Sequence, residues 1–293
     1  MKHSRRKSEK SLARLWVSPA IIIVLSVTIF PMFWSLYNSM YHITFSMGKM
    51  TYQWNGGNNY LNIITSPRFW NSIKNVLYFG GVGTSIQLIF GMLIALIIFN
   101  FIKVWKQVFV LSLFIIPMST APVVTGFLWR FFFDPTYSTI NAIFSIIGIK
   151  GISWFSSNYA LTSVMIADIW QWTSLPLLLF YAARSSLPED IYDSAKIDGA
   201  SYWTTFWNIT MPLLKNVIVI AFMLRVMDSY KFFDSIYVMT QGGPGVSTEV
   251  PSLYTYLTAF QSLDIGQATA LTWILSLGAL LMFNLVWGFF KRG

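Results

Sequence analysis

Long apolar runs dominate the chain, in place of the alternating or amphipathic patterns of a soluble fold. Six of them reach the roughly 20 mainly apolar residues that a membrane-crossing helix needs: residues 16–37, 72–101, 104–133, 159–183, 213–239 and 268–290. In the second run Gly83, Gln87, Gly91 and Ala95 recur every four residues on one helical face, a stripe that lets a neighbouring helix approach closely. The pattern changes between the fourth and fifth runs. Residues 185–200 read as a short polar helix with two marked ends. Ser186 and Glu189 have capping-box spacing, Pro188 suits the first turn, and Gly199 suits a left-handed stop. A second short helix is expected from about Ser201 to Asn208, with Trp203, Phe206 and Trp207 as an aromatic face, before Pro212 leads into the fifth span. Such a bent pair fits either a groove on a soluble partner or a layer of lipid headgroups.

The expected architecture is all-α and integral to a membrane: a basic segment over residues 1–15, then one six-helix domain over residues 16–293 with a polar connection at 184–212. Composition agrees, since 55% of the residues are hydrophobic and 11% are charged, against about a quarter charged in soluble domains. The net charge of +9 is topological and does not imply nucleic acid. Lys2, Arg5, Arg6, Lys7, Lys10 and Arg14, then Lys103, Lys106, Arg184, Lys196, Lys215, Lys291 and Arg292, all fall on one face of a six-span chain, which the positive-inside rule makes cytoplasmic together with both termini. The first run is long enough to be a retained signal anchor.

Several chemistries are excluded. The chain has no cysteine and two histidines far apart in sequence, so neither disulfides nor a metal centre are expected. No phosphate-binding Gly-x-x-x-x-Gly-Lys-Ser/Thr occurs, and no set of residues suggests covalent catalysis. The chain is expected to be a non-enzyme with no cofactor of its own. The conspicuous charges inside a span are Arg225, Asp228, Lys231 and Asp234, each three apart on a slowly drifting stripe. Charges in a span face a cavity or each other. Arg225 and Asp228 therefore form an internal pair or meet a solute.

The connection resembles the cytoplasmic EAA loop of ABC importer permeases, whose pattern reads here as Asp193-Ser194-Ala195, then Gly199, then Ile209-Thr210-Met211-Pro212. Asp198-Gly199-Ala200 and Phe206 are similar to the sugar-type subfamily. Further likenesses are Phe69-Trp70-Asn71 to Asn75, Pro122-Val123-Val124 with Trp129, Arg130 and Asn141, and Thr240-Gln241-Gly242-Gly243-Pro244 with Thr248-Glu249. The resemblance, to maltose-type and glycerol-phosphate-type permeases, implies a type I ABC importer fold in a bacterial inner membrane. It also implies a heterodimer with a second permease, two ATPase subunits that bind ATP and Mg, an extracytoplasmic solute-binding protein, and a carbohydrate cargo. By the same resemblance Asp193, Ser194, Ala195, Asp198, Gly199, Ala200, Phe206 and Pro212 would couple to the ATPase. Trp172, Leu175, Arg225, Asp228, Ser229 and Phe232 would line the cargo path, and Arg225 would suit an acidic saccharide. The alternatives are a secondary transporter or channel subunit, which needs no docking segment, and a membrane scaffold, which leaves the charges in the spans unexplained.

Overall fold

The computed structural model describes the backbone of residues 2–46 and 48–291, with the side chains of residues 2–15, 45, 46, 285, 286 and 289–291 left out. The basic side chains at the amino terminus, and Lys291 and Arg292, on which the expected orientation rests in part, therefore lie outside the described residues. Helix α1 (Lys2–Ser39) leads into a hairpin of β1 (Tyr41–Ser46) and β2 (Lys49–Trp54), then α2 (Asn58–Thr65). Next come α3 (Pro67–Tyr78), a π-helical turn (Phe79–Gly83) and α4 (Thr84–Phe101), which run on as one span. They are followed by α5 (Val104–Ser119), α6 (Pro122–Phe132), α7 (Thr139–Ile146), α8 (Ala160–Trp172), α9 (Ser174–Ser185) and α10 (Glu189–Ile197). The chain ends with α11 (Tyr202–Thr205), a second π-helical turn (Phe206–Thr210), α12 (Met211–Tyr230), α13 (Asp234–Met239), α14 (Pro251–Phe260) and α15 (Ile265–Lys291).

Five helical runs are long and apolar enough to cross a membrane: Trp16–Ser39, Pro67–Phe101, Ala160–Ser185, Tyr202–Tyr230 and Ile265–Asn284. Counted as one span, α5 with α6, bent by 93° at their break, makes a sixth. The contacts define two compact units, one ending at Thr65 and completed by Thr255–Ser276, the other made of Ser66–Tyr254 with the segment after Leu277. In the first unit the hairpin pairs Tyr41 with Trp54 and Thr44 with Thr51. Asn59 anchors that hairpin by donating to the carbonyls of Ser39 and Tyr41, both at 2.9 Å.

Two expected spans are redrawn. The third, read as unbroken over residues 104–133, is broken at Thr120 and Ala121. Pro122 starts α6, and the residue before a proline is driven out of the helical region, as Ala121 is at φ −62°, ψ 136°. The fifth, read over 213–239, ends at Tyr230, so Lys231 and Asp234 are off the helix that carries Arg225 and Asp228. At its other end the span extends back to Tyr202, so the separate helix expected near residues 201–208 is its first turns. Ser201 caps it by accepting from the Thr204 amide at 3.2 Å. Pro212 has no N–H to offer the turn before it, and the wide π turn at Phe206–Thr210 accommodates that lost bond.

The second unit is cored by Leu88, Met92, Ala95 and Leu96 of α4, Phe180 of α9, and Leu214 and Ala221 of α12. The expected small-residue stripe is buried, and its use is explicit at Gly91. A Cβ there would lie 2.8 Å from the Leu177 amide nitrogen and 3.0 Å from the Pro176 Cβ, so the α4 backbone meets the backbone of α9 and the Pro176 ring. Close approach of this kind maximises dispersion contact where lipid supplies no hydrophobic drive. Gly91→Val is expected to force these helices apart at about 1–3 kcal/mol, read as a lower thermal midpoint in detergent. A midpoint equal to the wild type would contradict the contact.

Candidate functional site

The expected coupling segment is a rigid object in the structure. Pro188 is the N-cap of α10, extended at ψ 132°, and Glu189 and Asp190 place carboxylates in the first turn, where the helix dipole favours them. The capping box expected from Ser186 and Glu189 is not formed. Because Pro188 occupies the cap position, Ser186 instead closes α9 by donating to the Ala183 carbonyl at 2.7 Å, and Glu189 turns to Arg184 at 3.0 Å. At the other end Gly199 adopts φ +74°. The Ala200 amide reaches the Ala195 carbonyl at 2.9 Å and the Gly199 amide reaches Lys196 at 3.1 Å, a complete Schellman stop. Nothing lies within 4 Å of the position a Cβ at Gly199 would take, so glycine is required there by its backbone angle alone.

The remaining coupling candidates divide by exposure. Asp193, Ser194 and Asp198 are exposed, with Asp193 paired to Lys196 at 2.9 Å. Ala195 is buried, Ala200 is half-buried and Pro212 is exposed. The aromatic face is not a single one. Trp203 and Trp207 are exposed, whereas Phe206 turns inward to the core of α4 and α12.

The expected path residues gather around a buried ionic network. Arg225 is only 2% exposed. Its Nε donates to Gln87 Oε1 at 2.8 Å, and its Nη2 donates to Asp168 Oδ2 at 2.9 Å. Nη1 stands 3.7 Å from Asp228 Oδ2. Gln87 also donates to Asp168 Oδ2 at 2.7 Å. The i, i+3 pair read from the sequence is therefore the weakest of these contacts, and the principal partner, Asp168, was missing from the sequence-derived set. Its signal was present: a lone carboxylate in the middle of an apolar run is itself a marker. Gln87 shows in the sequence only as a member of the small-residue stripe.

Of the two readings of Arg225, an internal pair or a solute contact, the geometry displays the internal one, with the guanidinium engaged by Gln87 and Asp168 and, further off, Asp228. Of the other path candidates, all but Ser229 are more open. The Trp172 ring, half-buried, lies 5.0 Å from the Arg225 guanidinium carbon, and Leu175 is half-buried on α9. Asp228 keeps its side chain 53% exposed. Ser229 is buried and bonds the Arg225 carbonyl at 2.7 Å, and Phe232 stacks on Phe79 at 4.5 Å. A Cβ on Gly80, in the first π turn, would sit 3.2 Å from Ser229.

At the opposite end of this unit from α10, Arg68 and Glu249 form a bidentate pair at 2.7 and 2.6 Å. Asn71 and Asn75 donate to the carbonyls of Val246 and Glu249 at 2.8 and 2.9 Å. The motif residues after the fifth span are thereby fixed to the start of the second.

Fold and site together define a polytopic helical membrane protein with a polar helical joint between its fourth and fifth spans. Residues 87–292 match the family of binding-protein-dependent transport system inner membrane components. The trehalose/maltose transport system permease protein MalF of Thermococcus litoralis is 32% identical over 97% of this chain and 96% of its own length. The sulfoquinovosyl glycerol transport system permease protein SmoG of Agrobacterium fabrum is 30% identical over 90% and 85%. A bacterial ABC transporter involved in importing the acidic polysaccharide alginate superposes with a TM-score of 0.83 at 21% identity, over 100% of this chain and 99% of that one. The chain belongs to this family: it is an inner-membrane permease component of a binding-protein-dependent ABC importer, with the type I importer fold.

Removing one member of the buried network strands the other's charge, at about 3–5 kcal/mol. Arg225→Ala is expected to lower the detergent midpoint steeply, and the double change Arg225→Met with Asp168→Leu to recover most of it. A double variant as unstable as the single one would mean that the charges are not the cause.

Proposed function

We infer that the chain imports a carbohydrate as one of two unlike permeases, driven by two ATPase subunits that bind ATP and Mg and supplied by an extracytoplasmic solute-binding protein. The observation that carries this reading is the closed, rigid α10 with Trp203 and Trp207 exposed just beyond it. A segment so well terminated, and so apolar at its edge, suits insertion into a groove on a soluble motor, and packed elements then shift as units when the motor closes. Its contact residues would be Asp193, Ser194, Ala195, Asp198, Gly199 and Ala200, with Phe206 and Pro212 seating the segment on the fifth span. On this reading both chain termini are cytoplasmic, on the same side as Lys103, Lys106, Arg184 and Lys196, a distribution that the positive-inside rule supports.

A carbohydrate cargo is supported by the names of the relatives, which speak of trehalose, maltose and sulfoquinovosyl glycerol transport. The chemistry suits it as well. Trp172 offers a ring face for a sugar, Asp228 offers an exposed carboxylate to accept from hydroxyls, and Leu175, Ser229 and Phe232 shape the same stretch of the path. Arg225 serves here by holding Trp172 and Asp228 in place, not by meeting the cargo.

In proteoliposomes carrying both permeases and both ATPases, labelled trehalose is expected to accumulate only with ATP inside and binding protein outside. Accumulation driven by an ion gradient without the ATPases would sink the reading. A Gly199→Val variant puts a branched residue at a left-handed position for about 1–2 kcal/mol or more, and ATPase co-purification is expected to fall roughly tenfold.

A further inference from the structure

Arg184, in the last turn of α9, has 4% of its side chain exposed and is enclosed on three sides. Its guanidinium carbon lies 4.1 Å from the ring centre of Phe99 on α4 and 3.7 Å from that of Tyr192 on α10. Its Nη1 meets Glu189 Oε1 on α10 at 3.0 Å. The Tyr192 hydroxyl then reaches Thr210 Oγ1, at the base of the fifth span, at 3.3 Å. One side chain thus joins the ends of the second and fourth spans to α10, and through Tyr192 to the fifth.

The connection beside it is weak. Between Ser185 and Glu189 the chain passes through Leu187 and an extended Pro188, and no helical ladder crosses that gap. Next to it lies a cavity of about 680 Å³ lined by Phe99, Gln107, Arg184, Tyr192 and Phe206. Without the guanidinium, α10 is left beside that cavity with the Tyr192–Thr210 contact and the packing of Leu187 to hold it. A desolvated cation between two aromatic faces is attracted by both ring quadrupoles, and a planar guanidinium fits between two rings where an ammonium does not.

We propose that Arg184 is the positioning residue that makes α10 and the second and fourth spans one lever. This rests on the coupling function inferred above. With the sandwich intact, displacement of α10 is delivered to all these spans at once; without it, α10 follows the motor while the spans stay behind.

The test uses the whole complex, assembled with the chain as it stands, which has no cysteine to remove. Spin labels at Asp190→Cys on α10 and Leu93→Cys on α4 report the distance between lever and span, with and without ATP and vanadate. In the wild type this distance is expected to stay fixed, because both move together. In Arg184→Gln it is expected to change by about 2 Å or more on nucleotide trapping, and Arg184→Lys is expected to restore little. A distance in Arg184→Gln that stays fixed while nucleotide is trapped overturns the proposal. If Arg184→Gln sheds its ATPases, Phe99→Leu decides: it keeps the pair to Glu189 and removes one ring face, and a nucleotide-dependent distance supports the lever while a fixed one rejects it. Failure of the coupling reading itself is distinguishable, since the ATPases would then not co-purify with the wild-type chain.

Discussion

Inside a lipid layer no water is available to satisfy a broken helix, so every interruption of a span must carry its own hydrogen-bond partners. The interruptions here obey that constraint through a few buried amides and hydroxyls. Where the third span breaks at Pro122, Gln171 Nε2 donates to the Thr120 carbonyl at 2.6 Å, and Ser174 donates to the Phe114 carbonyl further back in α5. Where the second span stops, Gln107 Nε2 donates to the carbonyl of Ile102 at 2.8 Å and approaches those of Ile98 and Phe99. Tyr181 orients that amide by donating to its oxygen at 2.6 Å. These polar side chains are placed at the breaks, where they supply donors to carbonyls of the interrupted helices.

The same low dielectric makes the Arg225–Asp168–Gln87 network expensive to assemble and more expensive to leave half-made. Asp168 Oδ1 finds no partner among the described residues, so the pair is satisfied on the side facing Arg225 and not on the other. A core of leucine would hold the second, fourth and fifth spans together at least as firmly. The ionic version adds direction: charges engage in one register, and a helix that slides by one turn loses them all. Such an element has few alternatives, and it therefore fixes the spans in one relation until a larger force moves them.

Much of this was legible in the sequence, for reasons that differ by residue. Span positions followed from apolar length, and Gly199 could be read as a helix stop because only a residue tolerant of φ +74° ends a helix that way. The bend in the third span was written in Pro122, but a tally of apolar residues has no term for backbone geometry. Capping at Ser186 failed because two local signals competed and proline won the cap position. The ionic network lay deeper still. Arg225 announced itself as a charge in a span, yet its partners sit 138 and 57 residues away in sequence, and no local pattern indicates which distant helix supplies them.

The second span takes part in three of the attachments between elements. Asn75 holds the loop before Val250 at one end, Gln87 joins the buried network in the middle, and Phe99 stacks on Arg184 at the other end. These residues are twelve apart, about 18 Å at the rise of an α-helix, so the attachments are spread along the whole span and resist tilting as well as sliding. The span is α-helical on both sides of the π turn at Phe79–Gly83, which lies between the first and second attachments. A π turn is where a helix most readily changes its path, and Gly80 there packs directly on Ser229, one residue beyond the exposed Asp228. On the proposed coupling, motion delivered from α10 would meet a stiff segment up to Gln87, and the nearest place for it to become bending would be the π turn beside the proposed cargo path.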